Sequence, residues 1–155
     1  METHKIEIPN DILIAEIRKM LAEGRTATFR VKGYSMRPLL ENERDSVKIE
    51  SVMPEDIQVK DVILAEVSPK VYVLHRVIRR IDNQLTLRGD GNVVGIEHCT
   101  TDNVIGKATA FYRKGRNVPD LATSRKWKTY SNIWLALSPI RRILLSIYRR
   151  LPFKL

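Results

Sequence analysis

Apolar and polar positions change rhythm three times along the chain. After Pro9-Asn10-Asp11, where Asn10 or Asp11 can cap a helix, Ile12, Leu13, Ile14, Ile17, Met20 and Leu21 recur at helical spacing. Gly24 ends that run, so a helix is expected between residues 10 and 24. Residues 26–31, 46–50, 62–67, 71–78, 85–88 and 104–112 then alternate and are rich in β-branched side chains. Between them stand turn-formers: Met53-Pro54-Glu55-Asp56, Ser68-Pro69-Lys70, Asp82-Asn83 and Gly89-Asp90-Gly91-Asn92. Short strands at roughly ten-residue spacing, with no helix between them, predict a mainly β body, an antiparallel barrel or sandwich.

Beyond Lys114-Gly115-Arg116 the rhythm becomes helical again. Residues 117–128 are polar and read as a linker. Ile133, Leu137, Ile140, Leu144, Ile147 and Leu151 follow at steps of four and three, the stripe of an amphipathic helix. Trp134 and Tyr148 are its candidate interfacial aromatics, and Pro139 must either kink it or start a second helix. Three segments are therefore expected: an N-terminal helix over 1–25, a β domain over 26–115, and a basic linker with an amphipathic tail over 116–155.

Charge sharpens the division. The net charge of +9 is not spread evenly: residues 113–155 carry eleven Lys or Arg against Asp120 alone, while residues 1–112 are nearly neutral. A polyanionic partner is expected at the tail. An Ile/Leu stripe is wasted on phosphates, which argues against nucleic acid and for an anionic membrane surface met by residues 130–155. The longest uncharged apolar-rich run, residues 129–140, is too short for the ~20 residues of a spanning helix. The charged N-terminus shows no signal peptide. Peripheral association, on the cytoplasmic face, is the expected location.

Chemistry enters at two side chains. Ser35 lies in Gly33-Tyr34-Ser35-Met36-Arg37-Pro38, and His75 lies on the alternating segment after Val71, Val73 and Leu74. Cys99 is the single cysteine, so no internal disulfide forms and a thiolate metal site is ruled out; His98 beside it is at most a partial ligand set. No metal or cofactor is expected.

The Gly33–Pro38 stretch resembles the signature around the nucleophile of signal peptidase I and its LexA-like relatives. Four further segments resemble that family in the right order: Lys60-Asp61-Val62-Ile63, His75-Arg76-Val77-Ile78, Gly89-Asp90-Gly91-Asn92 and Val104-Ile105-Gly106-Lys107. The second is similar to the base-carrying segment of the endoplasmic-reticulum-type, Ser-His branch. The resemblance implies a LexA/signal-peptidase-like β domain and a serine endopeptidase that cuts an extended signal or precursor peptide. Ser35 would be the nucleophile, His75 the general base, and Gly33, Tyr34, Ser35 and Met36 would line the oxyanion and substrate site. Imidazole is neutral and competent near neutral pH without the desolvation a lysine base needs. Asp90 is the expected orienting acid, with Glu97 as the alternative or a bare Ser-His dyad. The 34 residues before Ser35 leave no room for the helix-turn-helix domain of a LexA-like repressor. An inactive relative that binds or presents a peptide is the competing expectation.

Overall fold

The computed structural model describes residues 10–153. The N-terminal residues 1–9, where the absence of a signal peptide is read, and the basic Lys154 lie outside that range. The chain runs α1 (Asn10–Ala22), β1 (Ala27–Arg30), β2 (Ser46–Glu50), β3 (Val62–Ser68), β4 (Val71–Ile81), β5 (Gln84–Arg88), β6 (Glu97–Thr100), β7 (Val104–Tyr112), β8 (Asp120–Leu121), α2 (Arg125–Ala136) and α3 (Arg141–Arg150). All pairings are antiparallel, in the order β1-β2-β7-β3-β4-β5-β6, with β8 added to β7. The body is thus mainly β, as the alternation predicts, but the sheet is open and not a closed barrel. Its last long strand, β7, inserts in the middle between β2 and β3, which leaves β1 and β6 as unjoined ends.

The run Val62-Ile63-Leu64-Ala65 is buried at every position. Side chains on a strand alternate between faces, so such a run requires cover on both. Val62 and Leu64 join a cluster with Ile14, Ile17 and Leu21 of α1, Val47, Ile49, Phe111 and Trp127. Ile63 and Ala65 join a second cluster with Val77, Leu85, Leu87 and Cys99. Each fully buried Val, Leu or Ile stabilises by about 1.5–3 kcal/mol relative to exposure. β3 therefore binds the two halves of the core together.

The C-terminal segment corrects two expectations. Residues 117–128 are only partly linker: β8 lies within them, and α2 begins at Arg125, capped by Ser124, whose Oγ accepts from the Trp127 N–H at 3.2 Å. The helices are also docked on the sheet. Trp127 stacks on Phe111 with centroids 4.3 Å apart, and Trp134 and Tyr148 are buried at 7% and 5% exposure. Both aromatics expected at an interface therefore face the protein. Pro139 sits in a single 3₁₀ turn, Ser138–Ile140, that separates α2 from α3. Among the described residues no helix is long and apolar enough to cross a membrane.

Candidate active site

Ser35 sits in the long connection between β1 and β2. The base of that connection is closed by Val31 N–H to Asp45 C=O at 2.9 Å and Glu43 N–H to Val31 C=O at 2.8 Å. Gly33 has φ +89°, a left-handed conformation that a side chain would strain, and its N–H donates to Asn42 Oδ1 at 2.7 Å. That donor is spent on shaping the loop, so Gly33 cannot supply it to an oxyanion. Met36 is buried beneath the loop, and Tyr34 projects outward with the Arg37 guanidinium 4.2 Å from its ring centroid. Arg37 in turn holds the buried Glu41 with two guanidinium nitrogens, and Tyr148 of α3 donates its hydroxyl to Glu41 at 3.1 Å.

His75 is buried on β4, in register with Ile63 of β3 and on the face shared with Val77. Its Nδ1 is 2.8 Å from Glu97 Oε2. A carboxylate only accepts, so in the neutral form of the ring this contact puts the imidazole proton on Nδ1 and leaves Nε2 as the acceptor. Glu97 opens β6, a strand that the alternation pattern did not reveal because Glu97-His98-Cys99-Thr100 is short and polar. Within β6, Glu97 and Cys99 share a face, and Cys99 packs in the cluster that includes Val77 and Leu87. The carboxylate reaches His75 because β5 holds β6 two strands away from β4 on the same face. His98 points to the opposite side, its Nδ1 3.4 Å from Thr86 Oγ1. Burial pushes the Cys99 thiol above its usual range, and the charge on Glu97 pushes the same way. Both effects favour the thiol over the nucleophilic thiolate.

Gly89 lies against both the Ser35 backbone and the His75 ring. It lies one step beyond the last pair of β4 and β5, Arg76 with Arg88, and so stands beside His75. A Cβ built on Gly89 would collide with the Ser35 carbonyl oxygen, and it would lie 3.0 Å from His75 Nε2. A Cβ on Gly91 would strike the Tyr34 carbonyl, and the Gly91 N–H donates to the Ser35 carbonyl at 2.8 Å. The two glycines are thus required for backbone to lie flush on backbone, bringing the serine loop onto the strand that carries the histidine. The sequence suggests a tight hairpin at 89–92. The strands on either side, β5 and β6, are joined instead by the longer loop 89–96, of which this turn is the first part. Among the described residues the Ser35 hydroxyl makes no hydrogen bond, and the N–H groups of Ser35 and Met36 meet no acceptor.

Asp90 does not meet His75. Its carboxylate takes two hydrogen bonds from Arg76, Nε to Oδ1 and Nη2 to Oδ2, both at 2.7 Å, and a third from the Tyr130 hydroxyl at 3.0 Å. The reason is the strand period: Arg76, next to His75, points to the other face, and Asp90, next to Gly89, does the same. Arg76 also donates to Ser131 Oγ at 2.7 Å and to the Lys60 carbonyl at 3.0 Å, with Trp127 stacked 4.8 Å away. Burial alone would lower the guanidinium; the charge and hydrogen bonds of Asp90 outweigh it and raise it further. Burial, with Asp90 alongside, holds the Tyr130 phenol well above its ordinary range, so it stays a donor. Trp134 Nε1 donates to the Asp90 carbonyl at 3.0 Å, and Arg141 Nη1 donates to the Asn92 carbonyl at 3.3 Å. The C-terminal helices therefore grip the turn on which the Ser35 loop rests, contacts that the stripe pattern of the tail gave no sign of.

No protein-family model matches the chain, and no curated protein matches it in sequence. Among the described residues no three His, Cys, Asp or Glu side chains converge in a way that could hold a metal ion.

Proposed function

We propose that the chain is a serine endopeptidase of the signal-peptidase type, built on a LexA/signal-peptidase-like fold, with Ser35 as nucleophile, His75 as general base and Glu97 as the group that orients His75. The observation that carries this reading is the Glu97–His75 hydrogen bond: it fixes the tautomer whose free Nε2 lies at Gly89, against which the Ser35 backbone is packed. Ser35 Oγ attacks the scissile carbonyl while Nε2 takes the hydroxyl proton, and Glu97 stabilises the imidazolium that forms. The N–H groups of Ser35 and Met36 are the donors left for the oxyanion, each worth roughly 3 kcal/mol of barrier. His75 then gives its proton to the leaving amine, and a water activated by His75 hydrolyses the acyl-enzyme. No cofactor takes part in these steps. β1 forms one end of the sheet and leads directly into the Ser35 loop, so a substrate added to that edge as an extended strand would run towards the nucleophile. Small side chains beside the scissile bond are the preference that the family resemblance implies.

A fluorophosphonate probe tests the reading. It should label the full-length chain at Ser35 and leave Ser35→Ala, with unchanged circular dichroism, unlabelled. Equal labelling of both chains would refute it. A second reading, an inactive module that binds an extended peptide, is favoured by one observation: Ser35 and His75 are not hydrogen-bonded to each other. Catalytic hydrogen bonds often tighten only when substrate binds, which is why the peptidase is preferred. A wild-type chain that captures a peptide yet is inert to the probe would establish the second reading.

A further inference from the structure

The docked tail leaves one feature without a folding role. Its inner face is filled by Trp127, Trp134, Leu145 and Tyr148, yet large apolar residues remain on its outer side. Ile140, Ile143 and Ile147 stand at 44%, 61% and 54% exposure, and Phe153 beyond the helix at 63%. A spacing of four places Ile143 and Ile147 on one stripe of α3, turned away from the buried Arg141, Leu145 and Tyr148. Leu144 and Leu151, half-buried, lie on the same side. Scattered exposed leucines or isoleucines are ordinary; a contiguous stripe of them is not. Arg142, Arg149 and Arg150 are exposed on the same helix, and residues 121–155 contain no acidic side chain.

We infer that this outer stripe of α3, with Ile140 before it and Phe153 after it, is a docking surface for an anionic lipid bilayer, on which the helix lies parallel to the membrane plane. The isoleucines and Phe153 would enter the acyl boundary while Arg142 and Arg150 meet the phosphates. The charge pattern selects the occupant. A second copy apposed through this face would set Arg142 and Arg150 against their own counterparts, and residues 121–155 hold no acidic side chain to set between them. A neutral apolar partner would leave those charges desolvated. Only an apolar surface bordered by negative charge satisfies both parts of the stripe. Because the inner face of α2 and α3 grips the 89–92 turn and Glu41, a bilayer held on the outer face would fix the catalytic loop at a constant distance from the lipid. The inference does not require Ser35 to be catalytic, and its test is independent of activity.

Sedimentation of the full chain with vesicles decides it. The wild-type chain should pellet with an equimolar mixture of phosphatidylcholine and phosphatidylglycerol, and at least ~10-fold less with phosphatidylcholine alone or in high salt. The double variant Ile143→Ser/Ile147→Ser should lose at least ~10-fold in binding to the mixed vesicles while melting at the wild-type temperature, since both side chains already face solvent. Arg142→Gln/Arg150→Gln should weaken the same binding and reduce its salt dependence. Equal pelleting of the serine variant, or equal binding to neutral and anionic vesicles, overturns the inference. Absence of vesicle binding together with a dimer in sedimentation velocity that the serine variant abolishes would assign the face to a second copy instead.

Discussion

At the scale of single residues, two carboxylates compete for one role, and their surroundings separate them. Asp90 is almost wholly buried in a bidentate pair with Arg76, whereas Glu97 is partly exposed and holds His75. Removing one member of a buried, hydrogen-bonded pair costs about 3–5 kcal/mol because the other is left charged and unmatched. Asp90→Asn should therefore lower stability by about that amount in chemical denaturation. Glu97→Gln should stay within ~1 kcal/mol of wild type yet slow fluorophosphonate labelling by about 10²–10⁴-fold, because the amide no longer fixes the imidazole tautomer or stabilises its charged form. The reverse pattern would return the orienting role to Asp90. Gly89 gives a second contrast. Its lack of a Cβ lets the Ser35 carbonyl approach, so Gly89→Ala should shift the serine loop, cost about 1–3 kcal/mol from overpacking and suppress labelling. Wild-type labelling by that variant would remove the close approach from the account.

At the scale of elements, legibility in the sequence follows period and length. The helix over residues 10–22 and the strands over 46–50, 62–68, 71–81, 84–88 and 104–112 are long or strongly alternating, and the pattern places each of them closely. β6 and β8 have four and two residues, and only a partner strand makes them strands at all. The tail shows the opposite failure. Its Ile/Leu stripe is divided by the turn at Pro139, with Ile133 exposed on α2, Leu144 half-buried and Ile147 exposed on α3; the face that holds the helices to the sheet combines Trp127, Tyr130, Ser131, Trp134, Arg141, Leu145 and Tyr148. A face that mixes rings, a hydroxyl and a guanidinium does not register as apolar periodicity, although it is the face that packs.

At the scale of the whole molecule, the C-terminal helices belong to the folded body rather than hanging from it. Trp127 stacks on Phe111 in the main core, and Tyr130 and Ser131 complete the shell of the Arg76–Asp90 pair. A chain ending at Thr123 would uncover that pair and remove buried indoles worth about 3–5 kcal/mol each, a large share of the ~5–15 kcal/mol that stabilises a typical domain. It should lose its cooperative thermal transition. A truncated chain that melts cooperatively near the wild-type temperature would show that the tail docks without contributing to the fold. For the same reason, lipid binding is better tested with surface substitutions on α3 than by deleting the tail.

By itself the sequence determined the mainly β body behind one helix, the concentration of charge beyond residue 112, and the two side chains, Ser35 and His75, on which the proposed chemistry turns. These are readable because each depends on spacing within one segment. Tertiary structure alone decided that the sheet stays open, that Glu97 rather than Asp90 reaches His75, and that the tail turns its tryptophans inward and its isoleucines outward. Those outcomes depend on strand order and register, which bring residues such as His75 and Glu97 together across an intervening strand. A period-2 alternation says only that neighbours face opposite ways; which face meets the histidine and which meets the tail is settled when the strands pair.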